Sequence, residues 1–568
     1  MLRLNCTVAA LVLAGVTGGT AQAPTVSSTR GLVVTASAPA TDIGAATLRS
    51  GGNAIDAAIA TAFAMAVTYP TAGNIGGGGF MVIRLANGTT TTIDYRERAP
   101  GQSTESMYLD SAGAIDRSAT RSGYRAAGVP GTVRGLALAH RRFGRLPWKQ
   151  LVMPSAELAR RGFPLSPALA SELNWLVGET RTKYPTTAAA YGRPDGGTWA
   201  AGDTIRLPDL ATTLDDIAKN GPDAFYTGRI ADLIAADMAA NGGLITKADL
   251  AGYRAVERRP VRGTFNGYQI YGMAPPSSGG IAVVTMLNIL ERFEIGRRAR
   301  MDPATVHLMI EAQRRAFLDR AEYLGDPGFV SVPVARLTSK AHAATLAGSI
   351  DTTKASSSIA LSAGRIAVSG PGESEETTHF SVVDGQGNAV ANTYTLEQAY
   401  GSQVVVRGAG FLLNNEMGDF NQKPGTTTIG GDIGTAANLI VPGKRMLSSM
   451  SPTIVAKDGK VVLVTGSPGG RTIINTVHQI VLNVTAFGMD VRSAVDAPRF
   501  HHQWLPETVF FEAGAIPDSS VARLVALGHS VRVGGRIGNG HSIAIDPKTR
   551  VATAANDTRG PDSKAAAP

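Results

Sequence analysis

Along this chain β-rich runs and helix-period patterns alternate, and the sharpest change of pattern lies at residues 375–398. Ser381 and Val383 stand in one β-rich run and Ala389, Ala391, Thr393 and Thr395 in another, with Asp384-Gly385-Gln386-Gly387-Asn388 between them. A dense turn signal between two such runs predicts a hairpin. If the turn is centred on Gln386, antiparallel partners sum to 772 and Thr377 stands opposite Thr395. A loop of another length would slip this register by one residue. Upstream, Gly51 to Tyr69 is apolar nearly all round and free of proline, which predicts a buried helix closed by Pro70. The glycine run Asn74 to Phe80 then enters a strand at Met81 to Arg84. It lacks the Gly-Lys-Ser/Thr ending of a phosphate loop and precedes a strand, so close backbone packing explains it better. A strand over Thr90 to Tyr95 delivers Arg96, and helix periods recur at Gly128–Leu165, Leu207–Tyr253 and Asp302–Tyr323. The loop Ala274–Gly280 leads a helix over Ile281–Leu290, and a strand over Val461–Thr465 runs into Gly466–Arg471.

Composition adds that the chain is globular, with 43% hydrophobic and 17% charged residues and no linker to divide it. The formal charge of +9 raises the question of nucleic acid, yet Lys and Arg are scattered and no binding signature is present. An evenly basic surface without a nucleic-acid partner is the better reading. Residues 1–23 read as a signal peptide: Arg3 gives a positive start, Val8 to Val16 an apolar core too short to span a bilayer, and Ala21-Gln22-Ala23 a small-residue cleavage site. Pro24 makes cleavage after Ala21 the alternative. This implies a periplasmic or secreted protein. Cys6, the only cysteine, would leave with the segment, so the mature chain would have no disulfide and no thiol nucleophile. Lys354–Ser369 reads as a processing loop and Ser563–Pro568 as a tail.

Candidate chemistry centres on Thr377. Threonine is an ordinary strand residue, but the polar, acidic run Pro371–Glu376 leads into this one and has the look of an exposed loop, where cleavage is tolerated. A cut between Glu376 and Thr377 would leave a hydroxyl nucleophile beside its own α-amine, and Thr395 would orient it. Glu416 and Asp419, at i, i+3, fall on one side of a helical turn; an acidic turn or cap is the plain alternative. Glu397, two residues past Thr395, would share its strand face. Arg96 taken alone is a surface or ion-pair residue, Ser448-Ser449 a turn signal, and Gly469-Gly470 a strand-to-helix turn. His379 reads as a structural strand residue. His501 and His502 would point apart on a strand and make a poor metal pair, while His307 and Glu311 read as a helix-surface pair. No metal and no organic cofactor is expected.

The run TTHFSVVDGQGNAVANTYTLEQ, followed by LLNNEMGDF, RMLSSMSPTI and GSPGGRTI, resembles the gamma-glutamyltransferases (gamma-glutamyltranspeptidases), which are N-terminal-nucleophile hydrolases. The likeness runs from about Gly31 almost to the C-terminus. It implies an α+β fold, a four-layer αββα sandwich shared by two subunits cut from one precursor, with a large subunit 24–376 and a small catalytic subunit 377–568 that stay together as a heterodimer. It also implies Thr377 as nucleophile, Thr395 beside it, and an oxyanion hole at the N–H groups of Gly469 and Gly470. Arg96, Ser448 and Ser449 would hold the carboxylate of a γ-glutamyl group, and Glu416, Asp419 and Glu397 its ammonium. Donors would be glutathione and other γ-glutamyl compounds, and acceptors water, amino acids or dipeptides. Many members have asparagine where this chain has Glu397 and others have glutamate, a choice that bears on water against amino-acid acceptors. Lys423 to Lys444 lines up with the family's lid loop, and the aromatic gate of some members falls on Gly430, which implies a looser cover. Competing readings are a β-lactam acylase of the same superfamily and an uncut, non-catalytic binding protein.

Overall fold

The computed structural model describes residues 24–362 and 376–568. The expected signal peptide with Cys6, and the parts of the processing loop and acidic run within 363–375, lie outside the described residues.

The hairpin forms in the expected register. Strands Thr378–Asp384 and Ala389–Thr395 pair antiparallel from Thr378 with Tyr394 to Val383 with Ala389, so partners sum to 772. The hairpin has strands on both sides, Gly31–Thr35 and Gly78–Arg84. It therefore occupies the centre of a seven-stranded sheet whose outer members are Lys564–Ala566 at one edge and Thr90–Asp94 then Val256–Arg258 at the other. A second seven-stranded sheet runs in the order Val26–Ser28, Ala552–Asn556, His541–Ile545, Lys460–Thr465, Thr453–Lys457, Tyr268–Gly272, Val261–Phe265.

Strand periodicity sets the layers, because successive side chains leave a strand on opposite faces. Val33, Met81 and Ile83 enter one core with helix Ala54–Thr68, while Leu32, Val34, Phe80 and Val82 enter another with Ile454, Leu463 and Ile543 of the second sheet. Helices Gly279–Glu291, Pro303–Tyr323 and Thr472–Thr485 complete that second core. The result is helix, sheet, sheet, helix: the four-layer αββα sandwich. Both sheets interleave strands from before and after residue 376, so neither side of that position holds a complete sheet.

The expected buried helix is Ala54–Thr68, with all its residues buried. Asn53 caps it by accepting from the N–H groups of Ile55 and Asp56. On its inner face Ala62 O accepts from the Tyr394 hydroxyl at 3.0 Å, which ties the helix to the hairpin. The glycine run is an approach of backbone to backbone, as read. A Cβ on Gly77 would collide with Thr395 O, and one on Gly79 with Thr393 O and the Tyr394 side chain. Gly79→Ala is therefore expected to cost about 1–3 kcal/mol through overpacking, read as a lower urea midpoint; an unchanged midpoint would contradict this packing.

One expectation is corrected here. His307 and Glu311 are fully buried, not a helix-surface pair, because helix Pro303–Tyr323 is covered on nearly every side. Glu311 accepts from Arg315 Nη1 at 2.5 Å, from Arg314 Nε at 3.3 Å and from Ser356 N at 3.1 Å. His307 and His529 share a 2.7 Å hydrogen bond. The donor atoms of these three residues lie within 4.8 Å of one another. The Glu311 carboxylate is already matched to two guanidinium groups, which marks an ion-pair cluster and not a metal cage.

Candidate active site

Thr377 sits at the open end of the hairpin on the face turned toward the second sheet, with His379 and Ser381 following it at period two. Its hydroxyl donates to Glu376 O at 2.5 Å and lies 3.4 Å from Thr395 Oγ1. Thr395 accepts from Glu397 N at 2.8 Å, which leaves its own proton for Glu376 O at 3.3 Å. Two hydroxyls thus converge on the carbonyl between Glu376 and Thr377. Both threonines are nearly buried, at 4% and 3% exposure, so little water competes with them. Asn74, not singled out in the sequence, fixes this end of the hairpin by donating to Thr395 O at 2.9 Å.

His379 is no base for this hydroxyl. Its ring nitrogens are hydrogen-bonded to Thr393 Oγ1 at 2.8 Å and Ser381 Oγ at 3.0 Å, and burial, then the neighbouring His541, holds its pKa well below the usual imidazole value. The structural role expected for it stands. His501 meets Asn475 and Gln503, each at 2.7 Å, and His502 Nδ1 accepts from Trp504 N at 3.2 Å.

Facing Thr377 is a cleft of about 330 Å³ lined by Arg96, Glu376, Thr395, Glu397, Glu416, Asp419, Ser448, Ser449 and Gly470. The structure thus brings every expected site residue to one cleft except Gly469, which lies one residue back in the chain. Gly469 and Gly470 have φ of +128° and +52°, and a Cβ on Gly469 would collide with the Thr472 hydroxyl. Helix Thr472–Thr485 starts after the intervening Arg471, and its first turn, where the helix dipole is positive, lines the cleft at Ile473.

The charged groups are arranged more closely than the sequence suggested. Arg96 is 1% exposed and forms ion pairs with Glu416 at 2.6 Å, with Asp419, and with Glu97 at 3.5 Å. Burial opposes the guanidinium charge, but Glu416, Asp419 and Glu97 outweigh it and raise the Arg96 pKa. Burial likewise pushes the Glu416 and Glu97 carboxyls up, with Arg96 pulling both back down. Neither oxygen of Glu416 or of Glu97 receives an aligned hydrogen bond among the described residues. Glu416 and Asp419 share a single 3₁₀ turn, Glu416–Asp419, as their spacing implied. The sequence reading set Arg96 and the acids at two ends of a zwitterion; here they touch. An α-amino acid head carries its ammonium and carboxylate on one carbon, so adjacent receptors of opposite sign are what it requires.

Glu397 is not on the strand face with Thr395. The strand stops at Thr395, and Glu397 has φ +86°, a conformation costly for a side-chain-bearing residue. Asn415 holds it there by donating to its carboxylate at 2.5 Å while accepting from Gln398 N at 3.1 Å. Asn415 and Glu97 are further site residues that the sequence reading missed; the asparagine pair in LLNNEMGDF was the available signal.

The segment 423–444 covers a wider cleft of about 670 Å³ that meets the first at Glu397. It is pinned by Arg117, whose Nη2 donates to both oxygens of Asp432 at 2.9 and 3.0 Å, and by Arg471, which donates to Gly431 O at 3.0 Å. Gly430 offers no side chain, and its neighbour Ile429 is 41% exposed.

A family profile described as gamma-glutamyltranspeptidase matches residues 40–567. The chain is 48% identical over 518 residues to the glutathione hydrolase proenzyme of Escherichia coli (strain K12), covering 91% of this chain and 88% of that protein. It is 39% identical over 528 residues to the acylase ACY 1 proenzyme of Pseudomonas sp. (strain SE83), covering 92% and 91%. The crystal structure of a cephalosporin acylase from Bacillus halodurans superposes with a TM-score of 0.82 at 28% identity over 96% of this chain and 97% of that one. With the profile spanning nearly the whole length, the chain belongs to the gamma-glutamyltranspeptidase family.

Proposed function

We propose that this protein is a γ-glutamyltransferase and glutathione hydrolase that cuts itself between Glu376 and Thr377 and then uses Thr377 as an N-terminal nucleophile. The observation that carries this reading is the Thr377 hydroxyl resting on the Glu376 carbonyl in a cleft whose wall carries Arg96, Glu416 and Asp419.

In maturation the Thr377 oxygen attacks the Glu376 carbonyl carbon. Its proton passes to the departing amide nitrogen, and the chain becomes an ester that water opens. Thr395 polarises the carbonyl through its hydroxyl. The products are a large subunit 24–376 and a small subunit 377–568, held as a heterodimer by the interleaved sheets. In turnover the freed amine of Thr377 takes the hydroxyl proton, directly or through water, as that oxygen attacks the γ-amide carbon of glutathione or a related donor. The N–H groups at Gly469 and Gly470 stabilise the tetrahedral oxyanion, and the donor amine leaves with the proton. The γ-glutamyl ester then passes to water, an amino acid or a dipeptide. No metal or organic cofactor enters these steps.

Recognition follows from polarity. Ser448 Oγ accepts from Met450 N at 3.2 Å and Ser449 Oγ from Arg320 at 3.1 Å, so both hydroxyls keep a proton for an acceptor-only group such as a carboxylate. Glu416, Asp419 and Glu397 offer the opposite polarity to an ammonium. A dicarboxylic acyl chain, the group an acylase would take, has no ammonium for them. Glu416→Ala and Asp419→Ala are therefore each expected to lower kcat/KM for γ-glutamyl anilide by about 10- to 100-fold while sparing glutaryl anilide. Unchanged γ-glutamyl hydrolysis in both would remove the basis for this specificity.

The signal segment read from residues 1–23 of the sequence supports a periplasmic or secreted location. Among the described residues no helix is long and apolar enough to cross a membrane.

A further inference from the structure

Behind the serine pair stands a second buried arginine. Arg320, on helix Pro303–Tyr323, is 6% exposed. Its Nη2 donates to Ser449 Oγ at 3.1 Å and its Nε to Ser278 Oγ at 3.0 Å. Ser278 in turn holds the other serine: its hydroxyl and its backbone N–H both donate to Ser448 O, each at 2.7 Å. Arg320 thus holds Ser449 directly through its hydroxyl and Ser448 indirectly, through the Ser278 that grips its backbone carbonyl.

This arrangement has two chemical consequences. A serine hydroxyl that accepts from a guanidinium directs its own proton elsewhere, and charge assistance makes that proton a better donor. Ser449 lines the catalytic cleft, so its proton is available there. The second consequence is charge. Arg96 is engaged by Glu97, Glu416 and Asp419. Arg320 adds a second guanidinium charge behind Ser448 and Ser449, on the side of the cleft where their hydroxyl groups would meet a substrate carboxylate.

We propose that Arg320 is a positioning residue for the substrate α-carboxylate, acting through Ser449 and, by way of Ser278, through Ser448. The inference rests on the γ-glutamyl reading above. It makes the carboxylate subsite an arginine–serine relay in which Arg96 contacts the amino-acid head while Arg320 polarises the Ser449 hydroxyl and, through Ser278, fixes the Ser448 backbone.

The test compares two donors that differ only in the group concerned: γ-glutamyl p-nitroanilide and 4-aminobutyryl p-nitroanilide, which keeps the ammonium and lacks the α-carboxylate. Arg320→Met is expected to raise KM for the glutamyl donor by about 10- to 100-fold, with a smaller change in kcat. The 4-aminobutyryl donor should lose little, so the preference of the enzyme between the two donors collapses. Arg320→Lys should restore part of it by returning the charge, and Ser278→Ala should shift the preference the same way by a smaller factor. Ser278→Ala also decides the matter if Arg320→Met fails to fold. Equal losses on both donors, or no loss on either, would overturn the role of Arg320. A wild-type enzyme that releases nitroaniline from neither donor would instead overturn the γ-glutamyl reading itself.

Discussion

Thr377→Ala is expected to lower γ-glutamyl anilide hydrolysis by on the order of 10⁵-fold, the scale seen when a hydrolase loses its nucleophile. The size of the effect comes from a double loss. The variant has no oxygen to form the acyl-enzyme, and without that oxygen it cannot free the amine that would serve as base. Thr377→Ser keeps the oxygen 2.5 Å from the Glu376 carbonyl oxygen in the same backbone setting and should still mature. It loses only the β-methyl that restricts χ1, so its rates should fall by far less. Anilide release measured for the three proteins side by side checks this. Activity of Thr377→Ala within tenfold of wild type would mean that another group does the chemistry.

Arg96→Met should be the most damaging change in the substrate pocket. The guanidinium lies among the carboxylates of Glu97, Glu416 and Asp419, and the first two are completely buried. Removing one partner from a buried ion cluster leaves charges uncompensated at a cost of about 3–5 kcal/mol. The loss should depend on pH in a definite direction. Burial already raises the Glu416 and Glu97 carboxyls, and Arg96 is what lowers them. Without it their folded-state pKa values climb further. Above the unfolded carboxyl value of about 4.3, the folded variant retains protons that the unfolded chain has released. Stability is then present at low pH and falls as pH rises through the folded-state values. Because Glu97 is already raised to about 8 in the wild type, melting temperatures of variant and wild type should run parallel up to about pH 8 and diverge above it, with the variant lower at the alkaline end. Curves that stay parallel above about pH 8 would show that Arg96 does not hold these carboxyls down.

What the sequence disclosed and what it hid divide along physical lines. The hairpin register was legible because a dense turn fixes the sum of partners, and that sum carried Thr377 to Thr395. The helix at Ala54–Thr68 was legible because an apolar surface on every side can only be buried. The bounds of strands Gly78–Arg84 and Lys460–Thr465 differed from the reading by a few residues at most. Long-range partnership was hidden. Arg320 reaches Ser449 across 129 residues of sequence and looks like any other cation of its helix until the fold is closed. His307 and Glu311 misled for the same reason, since their spacing describes a helix face without saying what covers it. Glu397 failed differently: period two holds only while the strand lasts, and the chain turns to positive φ two residues after the strand's last paired residue, Thr395. Motif matching named residues that the fold brings to one cleft, Gly469 excepted. It did not reveal that the arginine and the acids share contacts, because that depends on one carbon bearing both substrate charges.

The central claim is the self-activating threonine, and intact mass of the purified protein beside Thr377→Ala tests it most directly. The account predicts two chains in the wild type that meet at the Glu376–Thr377 bond and stay together until denatured, and a single uncut chain in the variant. A single chain in both would contradict it, and so would a wild type cut at any other bond.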